Sequence, residues 1–131
     1  MKEKFQLEYV FSNISMSVLW NSISTPSGLG EWFADKVELD EADTNVFKFY
    51  WGKTSQTARL LNNRVGAYVK FRWDDDVEDP VKPYFEFRMS YVELTNDVVL
   101  TITDFVEPDE REEATKLWET QISALKMATG L

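Results

Sequence analysis

The chain contains neither cysteine nor histidine. Lack of cysteine excludes disulfides, thiolate metal ligands and a Cys nucleophile. Lack of histidine removes imidazole ligands, Ser-His-Asp triads and the commonest acid–base side chain. Positive charge is also in short supply: 14 Lys and Arg stand against 23 Asp and Glu, a formal charge of −9. Phosphate backbones and anionic membrane surfaces are disfavoured as partners on that ground. The cations Lys48, Arg59, Lys70, Arg72 and Arg88 form no run that would override the mean, and read as a solvated sheet face with cross-strand pairs. No segment has the length of apolar residues needed to cross a bilayer, and there is no repeat or low-complexity tract. Met1 to Gln6 alternates charge and apolarity and does not resemble a signal peptide, so a cytoplasmic location is expected. Asn13-Ile14-Ser15 then matches a glycosylation acceptor by accident.

What the chain does have is apolar and aromatic material. Of 131 residues, 44% are hydrophobic and 15% aromatic, enough for one well-cored domain spanning 1–131. Phe5, Leu7, Tyr9 and Phe11 alternate with Gln6 and Glu8, predicting a half-buried strand. The period then changes. Ser15 caps a short helix carrying Met16, Leu19, Trp20 and Ile23. Thr25-Pro26 restarts the chain as a cap followed by proline at the first helical position. The second short helix presents Leu29, Trp32 and Phe33, loosened by Gly28 and Gly30.

From Lys36 to Val106 the pattern has period two. Val37 and Leu39 mark a strand closed by an acidic turn at Asp40 to Asp43. Phe47, Phe49 and Trp51 alternate with Lys48 and Tyr50. A strand near Ala58 and Leu60 turns through Asn62-Asn63. Val69, Phe71 and Trp73 follow, then a long turn at Asp74 to Pro83. Phe85, Phe87, Met89 and Tyr91 form the next strand, and Val98, Leu100 and Ile102 the last. Short linkers imply an antiparallel meander with one apolar face.

The chain ends in a long helix. Asp109 with Glu112 reads as a capping box, and Ala114, Leu117, Trp118, Ile122, Leu125 and Ala128 as one apolar stripe. With roughly five turns, this helix is the one element long enough to cover the sheet. The fold class is therefore α+β: a strongly curved antiparallel sheet of about seven strands wrapped on a C-terminal helix. Two short helices after the first strand close one end. A twisted sheet on one helix leaves volume unfilled, so a cavity lined by Phe, Trp, Met and Leu is expected.

Val18-Leu19-Trp20, Ser24-Thr25-Pro26 and Leu29-Gly30-Glu31-Trp32-Phe33 resemble the valine-tryptophan, threonine-x-proline and tryptophan-phenylalanine pattern of the START-like superfamily, also called the Bet v-type helix-grip or SRPBCC superfamily. Phe71-Arg72-Trp73, Leu100 to Phe105 and Leu117-Trp118 resemble its later strands and terminal helix. The branch most similar comprises bacterial relatives of the activator of the ninety-kilodalton heat-shock protein ATPase. The resemblance implies a single START-like domain with the helix-grip fold. The superfamily includes lipid and sterol carriers, polyketide cyclases, hormone receptors and chaperone co-activators. The polar cavity residues of the cyclases have no matching set here, and the second domain of the eukaryotic co-activators is absent from this sequence.

The candidate ligand-binding set is Trp32, Phe33, Phe49, Trp51, Phe71, Trp73, Phe87 and Trp118, as walls for a flat or long apolar ligand. Plain core packing explains the same residues equally well. The acidic run Asp74 to Asp79 reads as a solvated loop, because Pro80 stands where a calcium loop needs glycine. Among the carboxylates, Asp104 near a cavity mouth is the best single candidate for acid–base work, although no partner is apparent at fixed spacing. The expectation is non-catalytic binding of a lipid, isoprenoid or polyketide-like ligand, with no cofactor and no metal. Tyr50, Tyr91, Thr101 and Arg72 are candidates to orient a polar head. The alternatives are a protein-interaction module acting on a chaperone and, behind it, a cyclase- or hydrolase-like enzyme.

Overall fold

The alternating segments pair into one curved, open antiparallel sheet of seven strands in the order β1-β7-β6-β5-β4-β3-β2. The computed structural model describes residues 1–130. The strands are β1 (Glu3–Ser12), β2 (Lys36–Leu39), β3 (Val46–Trp51), β4 (Thr54–Arg64), β5 (Tyr68–Trp73), β6 (Phe85–Val92) and β7 (Asp97–Val106). Strands β2 to β7 form the expected meander. β1 pairs with β7, so the link from β1 to β2 must pass from one sheet edge to the other. Two short helices make that crossing, α1 (Met16–Ser24) and α2 (Pro26–Leu29).

Both helix starts follow from local chemistry. Ser15 Oγ accepts from Val18 N at 3.5 Å, and Thr25 Oγ1 accepts from Gly28 N at 3.0 Å with Pro26 at the first helical position. Helix α2 ends at Leu29, so Trp32 and Phe33 sit in the turn that follows it. Gly28 does not loosen this pair. A Cβ there would lie 2.0 Å from Asn21 O, so glycine is what lets α2 lie on α1.

Helix α3 (Arg111–Ala128) buries Trp118, Ile122 and Leu125, whereas Leu117 is 61% exposed and Ala128 is exposed. The stripe is narrower than its periodicity suggests because only one line of residues faces the sheet. The capping box does not form. Pro108–Glu110 is a 3-10 turn, and the helix begins at Arg111 with no side-chain cap. The Asn62-Asn63 turn is also displaced. Both residues pair within β4, against Lys70 and Val69, and the chain reverses after Arg64 through Gly66 at φ +76°. A register shift between Leu60 and Asn62 supplies the extra residue.

The inner face carries the phenylalanines. Phe49, Phe71 and Phe87 are fully buried, with Phe85 and Phe47 nearly so. The outer face carries the scattered cations. Arg59 pairs with Asp43 at 3.0 Å, Arg88 with Glu86 at 3.1 Å, and Lys70 lies 3.9 Å above the Tyr84 ring. Arg72 donates to the carbonyls of Pro83 and Lys82. In the acidic turn, Asp76 is buried and accepts from Lys2 Nζ at 2.7 Å, so one acid of the run faces inward.

Candidate functional site

Phe33 stands at the centre of the aromatic layer, 5% exposed. On one side its ring centroid lies 5.4 Å from Phe49 and 5.6 Å from Phe87. On the other it lies 5.7 Å from Phe85, 5.8 Å from Trp51 and Trp118, and 6.4 Å from Trp73. The first side is filled. The second encloses a pocket of about 220 Å³ between α3 and the ends of β3, β5, β6 and β7. Its aromatic walls are Phe33, Trp51, Trp73, Phe85 and Trp118. Val106, Ala114 and Leu117 complete the apolar lining, and Asp104 and Gln121 are its polar members.

Strand period places each wall. Phe85 and Phe87 share the inner face of β6, Phe71 and Trp73 that of β5, and Phe49 and Trp51 that of β3. In β3 and β5 it is the last residue that reaches the pocket. Along β7 the inward row runs Val98, Leu100, Ile102, Asp104, Val106, so an acid occupies a position otherwise held by aliphatics. Two of the three indoles are tied in place. Trp118 Nε1 donates to Asp104 Oδ2 at 3.0 Å, and Trp51 Nε1 donates to Phe33 O at 2.9 Å. Gln121 Nε2 donates to the same carbonyl at 3.3 Å. A second, more open depression of about 420 Å³ shares Phe33, Trp51 and Gln121 with this pocket. A wider one of about 530 Å³ lies on the charged, exposed face of α3.

Asp104 is held above the ordinary carboxylate range, chiefly by burial. The hydrogen bonds from Trp118 Nε1 and Phe105 N and the charge of Lys2 act in the opposite direction, and the charge of Asp76 adds to the rise. Lys2 is itself held above the usual lysine range by its hydrogen bond to Asp76.

The eight residues singled out from the sequence therefore divide. Phe33, Trp51, Trp73 and Trp118 border the pocket. Phe49, Phe71 and Phe87 are interior packing, and Trp32 donates through Nε1 to Ser22 O at 2.8 Å in a buried bond beneath α1. Sequence reasoning left Phe85, Val106, Ala114, Leu117 and Gln121 outside the set. Phe85 belongs to an alternation already recognised. Gln121 lies three residues after Trp118, one helical turn along the same face of α3. Of the residues suggested for a polar head group, Tyr50 donates to Glu38 and Tyr91 to Asn96, Arg72 points to the loop carbonyls, and Thr101 alternates away from the inner row.

A family model described as a START-like superfamily domain matches residues 1–131. The solution structure of the protein BfR322 from Bacteroides fragilis is 41% identical, covers 97% of this chain and 90% of its own, and superposes with a TM-score of 0.64. The Aha1 dimer from Colwellia psychrerythraea is 15% identical over 98% of this chain and 96% of its own, with a TM-score of 0.72. The protein MLL2253 from Mesorhizobium loti is 16% identical, covers 95% of each chain and also gives 0.72. The last two show a shared fold. No curated protein matches the chain.

Proposed function

The chain belongs to the START-like superfamily, and on that premise we propose that it binds a small apolar ligand in the pocket between α3 and the sheet without transforming it. The observation that carries this reading is the pocket lining: five aromatic rings and three aliphatic side chains around a single carboxylate and a single amide. Large rigid rings supply affinity through apolar burial, at about 25 cal/mol per Å² removed from water. Among the described residues lining the pocket, Asp104 is the one titratable side chain, so an acid–base mechanism that uses two such groups has no second member there.

The volume narrows the ligand class. A cavity of about 150 Å³ holds one benzene ring, so 220 Å³ suits a ligand of roughly nine non-hydrogen atoms, or the ring or chain end of a longer lipid, isoprenoid or polyketide whose remainder projects outward. The interaction-module alternative rests on likeness to the Colwellia protein at 15% identity, which shows a shared fold alone.

Native mass spectrometry of gently purified protein, with thermal unfolding against alkylbenzenes and indole, tests the reading. A co-purifying small molecule is expected, or stabilisation by about 2.7 kcal/mol at a hundredfold excess over Kd. A protein that carries no ligand and whose unfolding none of these compounds shifts would remove it.

A further inference from the structure

The pocket sets one carboxylate among aromatic faces, and among the described residues no cation forms an ion pair with it; Lys2 acts on it only from a distance. Trp51, Trp73 and Trp118 wall the space with Phe33 and Phe85, and Asp104 is its charged member. The Asp104 oxygens accept from Trp118 Nε1 and Phe105 N. Each oxygen carries a further lone pair, and both existing donors are neutral N–H groups. The nearby cations are committed elsewhere. Lys2 Nζ bonds Asp76 Oδ1 at 2.7 Å, and the Arg111 guanidinium lies 5.4 Å from the centroid of Phe5, the cross-strand partner of Asp104. A burial site that keeps an acid without a basic partner is costly unless something pairs with it. Aromatic faces are negative and attract cations, most strongly when water is excluded.

From this arrangement we infer that the ligand is a small organic cation: an alkyl- or arylalkyl-ammonium whose charged nitrogen sits on the Asp104 carboxylate and whose apolar part lies among the indoles. The inference rests on the binding reading above and names its ligand class. It also gives the chain's negative charge a use, since a net charge of −9 raises the local concentration of cations. Anionic fatty acids and phosphate-bearing lipids meet repulsion at the same carboxylate.

The test uses three ring-sized probes of nearly equal volume: phenethylammonium, neutral 2-phenylethanol and anionic phenylacetate. Each is titrated into the protein while the indole N–H signals of Trp118 and Trp51 are followed by NMR. The expected order is ammonium, alcohol, carboxylate, with the ammonium binding roughly tenfold tighter than the alcohol. In Asp104→Asn the ammonium and alcohol are expected to bind equally. The preference is also expected to fade in acid as Asp104 takes up a proton; of the charged groups around it, Lys2 is paired with Asp76 and Arg111 lies over the Phe5 ring.

Binding of the alcohol as tightly as the ammonium in the wild-type protein overturns the cation assignment and leaves the apolar pocket standing. That comparison needs no variant to fold. A preference that survives in Asp104→Asn also overturns it. If none of the three probes moves the Trp118 signal, both the cation assignment and the binding reading fail.

Discussion

Phe33 divides the inner aromatic layer into two halves built from different side chains. On the core side, Phe49, Phe71 and Phe87 are fully buried with no polar atom to place, Phe49 edge-on to Phe71 and Phe87 edge-on to Phe33. On the pocket side the rings are mainly indoles, and two of their N–H groups are tethered, one to Asp104 and one to Phe33 O. The pocket opens beside these rings, where β3 and β5 end. The same inner face thus makes a core at one place and a pocket a few ångströms away.

Four substitutions sharpen this contrast. Phe49→Ala removes a fully buried ring from the filled half and is expected to cost about 3–5 kcal/mol in urea unfolding. A loss below about 1 kcal/mol would show that this half, too, is loosely packed. Trp73→Ala enlarges a space already open on one side, so about 1–2 kcal/mol is expected. Its larger effect should fall on 2-phenylethanol binding, weakened about tenfold by NMR titration.

Asp104→Asn separates charge from shape. Asparagine keeps an acceptor for Trp118 Nε1 and loses the buried charge. Because burial raises the folded-state pKa of Asp104, the folded wild type holds this proton more tightly than the unfolded chain. The wild type is therefore favoured below the unfolded value of about 3.9, and that advantage is lost as pH rises through the folded pKa. Thermal unfolding from acid to neutral pH should show the variant gaining on the wild type. A pH-independent difference would contradict that sign. The smallest effect belongs to Leu117→Ala. Leu117 is 61% exposed at the pocket's edge, so stability should change by no more than about 0.5 kcal/mol, while 2-phenylethanol binding weakens measurably.

Much of this arrangement is legible in the residues alone. The alternations at Phe47 to Trp51 and Phe85 to Met89 identify the inner face, and Thr25-Pro26 marks the second helix. The split between core and pocket was not legible. Alternation says which face a ring occupies, whereas pocket membership depends on how far along its strand it sits relative to α3. Trp51 and Trp73 end their strands and reach the opening; Phe49 and Phe71, two residues earlier, do not. The Trp118–Asp104 bond joins residues fourteen apart on different elements, a pairing no local spacing encodes. The chain does not turn at Asn62-Asn63 for a local reason: Gly66 offers positive φ at less cost, and the shift near Leu60 carries the asparagines into the ladder.

Three of the five tryptophans, Trp51, Trp73 and Trp118, border the pocket; Trp20 and Trp32 lie elsewhere. Indole emission moves to shorter wavelength as water leaves its surroundings, so any occupant of this space alters the light the protein emits. The molecule therefore carries its own optical gauge of occupancy, with most of its emitters at the place where filling occurs. Replacing Trp20 and Trp32 by phenylalanine would leave a chain whose tryptophan emission comes entirely from residues bordering that space.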